Sequence, residues 1–238
     1  MTNYDLSSSY PVAEDSGPND RARFISRTYA HLAGAILAFI AIEYVLLNSS
    51  VAPGMLRLMG SGRFAWLVVL GVFMGITYVA QRMADNATSA GLQYAGLGLY
   101  TIAEAFIFAP LLLIATRYAG STVVPLAAAI TGALFLGITF VAITTKKDFS
   151  FLGSVLKIGG FVALGLIVAS SIFGFQLGLL FSAVMVVFAA AAILYETSNI
   201  LHRYGTHQYV AASLCLFASV MLLFWYILRL LMSLNNRR

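Results

Sequence analysis

Residues 158–195 read IGGFVALGLIVASSIFGFQLGLLFSAVMVVFAAAAILY, and the next residue is Glu196. These 38 residues contain no Asp, Glu, Lys or Arg. As a single helix rising about 1.5 Å per residue they would extend about 57 Å. That is nearly twice the bilayer core of about 30 Å. The run must therefore double back, and Gly174-Phe175-Gln176-Leu177-Gly178 carries the glycines for a tight turn. Two membrane segments follow from one stretch, with a carboxylate where the second returns.

The rest of the chain agrees with this reading. Of its 238 residues 61% are hydrophobic and 10% charged, with a mean hydropathy of +0.90. A soluble domain of this size is about 45–50% apolar and about 25% charged. Too few polar residues remain to cover a water-facing surface, so most of the exterior faces lipid. Further apolar segments fall near 28–47, 64–81, 91–116 and 121–144, then 151–173, 176–196 and 208–232. The expected fold is an all-α polytopic bundle of seven transmembrane helices. The rival count is six, with the last segment re-entrant.

Residues 1–20 carry Asp5, Glu14, Asp15 and Asp20 and are rich in Ser, Pro and Gly. They are expected to form a disordered tail before a membrane domain over 21–238. The tail lacks the basic start and apolar run of a cleaved signal peptide. Arg21, Arg23, Arg27, Arg82, Lys146, Lys147 and Arg203 would share one side of the membrane. Arg57, Arg63, Arg117, Arg229, Arg237 and Arg238 would share the other. With the C-terminal group set aside, the bias puts the N-terminus in the cytoplasm. Basic residues at helix ends also explain the net charge of +5, so no nucleic-acid partner is expected.

Gly71 with Gly75, Gly174 with Gly178, and Ala211 with Cys215 and Ser219 are small residues spaced for close helix approach in lipid. Trp66, Trp225 and Tyr226 suit either interfacial anchoring or core packing. Cys215 reads as a small packing residue, and a lone cysteine allows no internal disulfide. No nucleophile elbow, zinc pair or phosphate loop occurs. The three histidines have no metal-ligand spacing. Neither enzyme activity, metal nor cofactor is expected.

What remains are acids within or beside the membrane. A charge at the bilayer centre costs about 2.5–3.5 kcal/mol on insertion scales, so such residues face a cavity or the bundle interior. Glu43 and Glu104 lie about 15 and 14 residues into parallel segments, roughly 20 Å deep. They either share one polar cavity or stand apart as separate neutral acids. Glu196, Asn199 and Arg203 share one helical face, with His202 beside them. Arg82, at the end of the second segment, is a candidate ion-pair partner for Glu196. The alternative is a solvated helix end with ordinary charges.

Three stretches carry a family resemblance. Residues 193–202, ILYETSNILH, resemble the sixth-helix signature of the Bax inhibitor-1 (TMBIM-like) membrane proteins. Residues 144–153, TTKKDFSFLG, resemble that family's link between helices four and five, and RFISRTY at 23–29 its entry into helix one. The likeness runs from about residue 21 to the end and is greatest to the bacterial YccA-like branch. It implies seven helices with the last at the centre, and a pH-sensitive leak of calcium or another cation. In the family two acids, on helices six and seven, sense protons, and an arginine near the end of helix two latches onto them. The first acid maps onto Glu196, and Arg82 could stand for the latch. The second acid is expected near 217–220, where this chain has Phe217, Ala218, Ser219 and Val220. The two-acid sensor is thus absent. The branch implies a second role, restraint of a membrane-anchored ATP-dependent protease of the FtsH type through the N-terminal tail. An integral membrane protein of the bacterial inner membrane is expected.

Overall fold

The computed structural model describes residues 16–62, 64–86, 88–145 and 147–235. Among the described residues eight α-helices follow one another: α1 (Pro18–Leu47), α2 (Val51–Gly60), α3 (Ala65–Ala84), α4 (Ala90–Ile114), α5 (Val123–Thr145), α6 (Leu152–Phe173), α7 (Leu179–His202) and α8 (Tyr209–Asn235). Seven are long and apolar enough to cross a membrane. The exception is α2, whose 10 residues span only about 15 Å. No strand is present among the described residues. The fold is the expected seven-span bundle, with one short helix that the spacing of apolar segments did not reveal.

Boundaries depart from expectation in two informative places. Helix α1 starts at Pro18, inside the stretch assigned to the tail, because proline at the first helical turn loses no backbone bond and Asp20 suits the positive helix end. Residues 1–15 of that tail lie outside the described residues, as do Arg63, Lys146, Arg237 and Arg238. Helix α7 continues six residues past Glu196 to His202, so Glu196 does not end the helix. The predicted turn is present: α6 stops at Phe173 and Gly174 takes a left-handed conformation at φ 77°.

Ring contacts fix the register. His31 stacks on Tyr94, and Phe39 meets Phe108 edge-on at 5.3 Å. Tyr209 packs against His31, Phe217 against Phe39, and Phe224 against Phe108. The numbers rise together on all three helices, so α1, α4 and α8 run parallel. We call the end where α1 begins the tail side and the other the far side. Helix α8 packs against α7, α1, α5, α4 and α3, and its Leu214, Leu216, Phe217, Leu223 and Leu228 are fully buried. A helix apolar on every face is at home in the middle. At the other extreme, α6 buries only Gly153 and Ala163 and turns Phe161 and Phe173 outward to lipid.

In lipid each backbone and hydroxyl group needs an internal partner. Thr28, Thr101 and Thr131 meet this by donating to carbonyls one turn back, at 3.0, 2.8 and 2.8 Å. Ser89 caps α4 by accepting from the Leu92 amide. One close helix approach was missed by the glycine pattern. At Gly96 of α4, a Cβ would stand 2.5 Å from the Ala80 carbonyl oxygen of α3. Gly71 and Gly75 have open space around them and make no such contact.

Candidate functional site

The sequence singled out Glu43, Glu104 and Glu196, and the structure separates their settings. Glu104 is 6% exposed and accepts a hydrogen bond from the Tyr100 hydroxyl at 2.7 Å. Tyr100 stands one turn earlier on α4, the i to i+4 spacing that puts two side chains on one face. Both line a cavity of about 900 Å³ between α2, α3, α4, α6 and α8. Trp66 and Trp225 stack across it with ring centres 6.3 Å apart, so they pack in the interior instead of acting as simple interfacial anchors.

Glu43 does not line this cavity. It lies one turn beyond Phe39, level with the part of α4 beyond Phe108, whereas Glu104 lies one turn before Phe108. The Phe39–Phe108 contact stands between the two depths. The single shared cavity is therefore not what these residues form. Glu43 is 4% exposed, and neither of its carboxylate oxygens has a hydrogen-bond partner.

Glu196 faces inward from α7 near the tail side. Asn199 lies within interaction range of its carboxylate, and the Cys215 thiol of α8 and the Tyr204 hydroxyl both feel its charge. Tyr204 belongs to the α7–α8 connection and folds back against the core. Burial holds its hydroxyl far above the ordinary tyrosine pKa, and the Cys215, Glu196 and Asp85 charges add to that. Asp85, which caps α3, acts on the same two groups. Burial raises its pKa against an opposing pull from Arg82.

Arg82 is exposed on α3, donates to the Tyr78 hydroxyl at 3.2 Å and lies over that ring. Among the described residues no ion pair joins it to Glu196, and the acid it acts on is Asp85, three residues on. Arg203 and His202 point elsewhere too. Arg203 reaches Asp148 at 3.7 Å, and the His202 ring bonds the Ser198 carbonyl at 2.9 Å. Asp148, in the α5–α6 connection, is held below the usual carboxylate range by the Ser150 amide and hydroxyl, then by Arg203 and His202. Phe149 donates its amide to the Ser198 hydroxyl at 2.9 Å, tying that connection to α7. Of the residues grouped by helical periodicity, only Asn199 accompanies Glu196.

The position where a second acid was expected is filled by Phe217, 0% exposed, which meets Phe39 and Tyr100 edge-on. Tyr100 also feels the Cys215 side chain. These polar groups form a discontinuous line, Glu104 hydrogen-bonded to Tyr100 and then Cys215, Tyr204 and Glu196 acting on one another through charge, with Phe217 packed against Tyr100. Sequence reasoning missed Tyr100, Tyr204 and Asp85, though Tyr100 and Asp85 stood at helical spacing from residues already chosen. Among the described residues no group of three His, Cys, Asp or Glu side chains could hold a metal.

The profile of the family described as "Inhibitor of apoptosis-promoting Bax1" matches residues 21–237. The chain belongs to this family. Bax inhibitor-1 relatives match over most of its length. The protein named Modulator of FtsH protease YccA, from Escherichia coli K12, is 29% identical across 91% of the chain and 95% of that relative. Uncharacterized protein PA2604 of Pseudomonas aeruginosa is 33% identical across 68% of the chain and 72% of its own length. Protein LIFEGUARD 4 of Arabidopsis thaliana is 26% identical across 90% and 86%. As a member of this family with seven membrane-length helices, the chain is an integral membrane protein.

Proposed function

We propose that this Bax inhibitor-1 member is a proton-modulated cation leak, with calcium as the cation and Glu196 as its gate. The observation that carries the reading is the polar line from Glu104, in the cavity, to Glu196 near the tail side. Carboxylates are hard oxygen ligands suited to calcium, and two of them spaced along a path bind it weakly enough to release it. Glu43, buried on α1 with no hydrogen-bond partner for its carboxylate among the described residues, is a further acid on the far side, outside the cavity. Arg82, kept near the tail side by Tyr78 and Asp85, is the cation available to latch onto Glu196 once released. The N-terminus faces the cytoplasm of a bacterial inner membrane in this scheme, following the basic residues gathered on the tail side. The test is purified protein in vesicles loaded with a calcium dye. Flux above empty vesicles is expected, and its absence at every pH would overturn the leak.

A second reading has its own support. The E. coli relative is named for modulating FtsH, and the chain matches 95% of it. On this reading residues 1–20 offer a membrane-anchored ATP-dependent protease its hold. Co-purification with such a protease, lost on deletion of residues 1–15, supports it. Unchanged co-purification contradicts it.

A further inference from the structure

The cavity that contains Glu104 is larger and more apolar than an inorganic cation path alone requires. About 900 Å³ is at the upper end of small-molecule sites, whereas a hydrated ion needs a narrow polar passage. Among aliphatic side chains its walls carry aromatic ones: Trp66 stacks on Trp225, Phe108 meets Trp225 edge-on at 4.9 Å, and Tyr100 and Tyr226 also line it. One carboxylate, Glu104, stands among them with a single neutral donor, the Tyr100 hydroxyl. No basic side chain among the described residues forms an ion pair with it. The basic residue that does line the cavity, Arg229, lies two turns of α8 beyond the level of Glu104, roughly 12 Å away along the axis.

We propose that this cavity is a binding site for a hydrophobic organic cation, with the positive centre at Glu104 and the apolar body between the tryptophans. A buried carboxylate supplies the countercharge, and aromatic faces attract a desolvated cation through their quadrupoles. Apolar walls contribute through the surface they remove from water. Access is from the far side, where α2, the start of α3 and the 174–178 turn border the cavity. Arg229 at that end repels a second positive group, so the site selects molecules with one cationic centre. This goes beyond the leak: binding is read directly, and neither reading requires the other.

The experiment uses the full chain in lipid nanodiscs and radiolabelled tetraphenylphosphonium, with empty nanodiscs subtracting partition into lipid. Saturable binding is expected, weakened about tenfold by Glu104→Gln, a substitution that keeps volume and the Tyr100 partner. Trp66→Leu weakens it several-fold, and Asp148→Asn, which removes an acid outside the cavity, leaves it unchanged. Neutral triphenylphosphine oxide competes poorly. Thermal melting of each variant confirms that it folds. Binding no greater than to empty discs, equal binding by Glu104→Gln, or equal competition by the neutral oxide would each overturn the proposal.

Discussion

Gly96→Ala tests the packing that positions the cavity wall. The added methyl would stand 2.5 Å from the Ala80 oxygen, 2.8 Å from the Ala84 nitrogen and 3.0 Å from the Met83 Cβ. Two of these are backbone atoms of α3, which cannot rotate away, so α3 and α4 must separate. Overpacking of this kind costs about 1–3 kcal/mol, and the rigid neighbours place this case at the upper end. Replacing a helical glycine by alanine returns about 1 kcal/mol, leaving a net loss of about 2 kcal/mol. For a chain of this length that is a fall of about 4–8 °C in melting temperature. Gly98, on the same helix, has open space around it, so Gly98→Ala gains the helix propensity with no clash. Melting of both variants in one detergent is the assay. A Gly96→Ala protein as stable as Gly98→Ala would refute the close approach of α3 and α4.

Other consequences concern the tail side and the polar line. Asp148 has its pKa lowered in the fold, so the stability it lends is present above the unfolded value of about 3.9 and is lost as pH falls through the folded one. Protection of the Phe149 and Ser150 amides, taken relative to intrinsic exchange at each pH, should therefore hold at pH 5 and fall only in stronger acid; a fall already at pH 5 contradicts it. Phe217→Ala removes a fully buried ring against Phe39 and Tyr100, costing about 3–5 kcal/mol and widening the polar line. Vesicle flux per folded protein should rise; unchanged flux would mean that Phe217 does not obstruct the path.

The bundle was legible because lipid imposes a coarse rule, about 20 apolar residues per crossing, and the charge-free run at 158–195 obeys it unmistakably. Helix α2 escaped because its ten residues fall well short of the twenty or so that a membrane crossing needs, the rule by which the chain was divided. The glycine pairs misled for a physical reason. Gly71 and Gly75 share a face that turns to open space, while Gly96, unpaired in sequence, meets a backbone. Spacing shows which residues share a face and not which neighbour that face meets.

The acids show the same limit. Depth along a helix put Glu43 and Glu104 together, but the Phe39–Phe108 contact sets them at different levels. Helical periodicity joined Arg203 and His202 to Glu196, yet Asp148 pairs with Arg203 and the Ser198 carbonyl holds the His202 ring. Tyr204 was hidden because nothing in a sequence tells that a connecting loop folds back toward Cys215. What did carry over is the choice of Glu196 and Glu104 as inward-facing acids, since charge inside a membrane must be directed inward.

The measurement closest to the central claim is calcium flux in vesicles across a pH series, with the unmodified chain beside Glu196→Gln. The account predicts flux that varies with pH in the unmodified protein and loses that variation in Glu196→Gln, where a proton can no longer be exchanged. Identical pH profiles for the two proteins would contradict it.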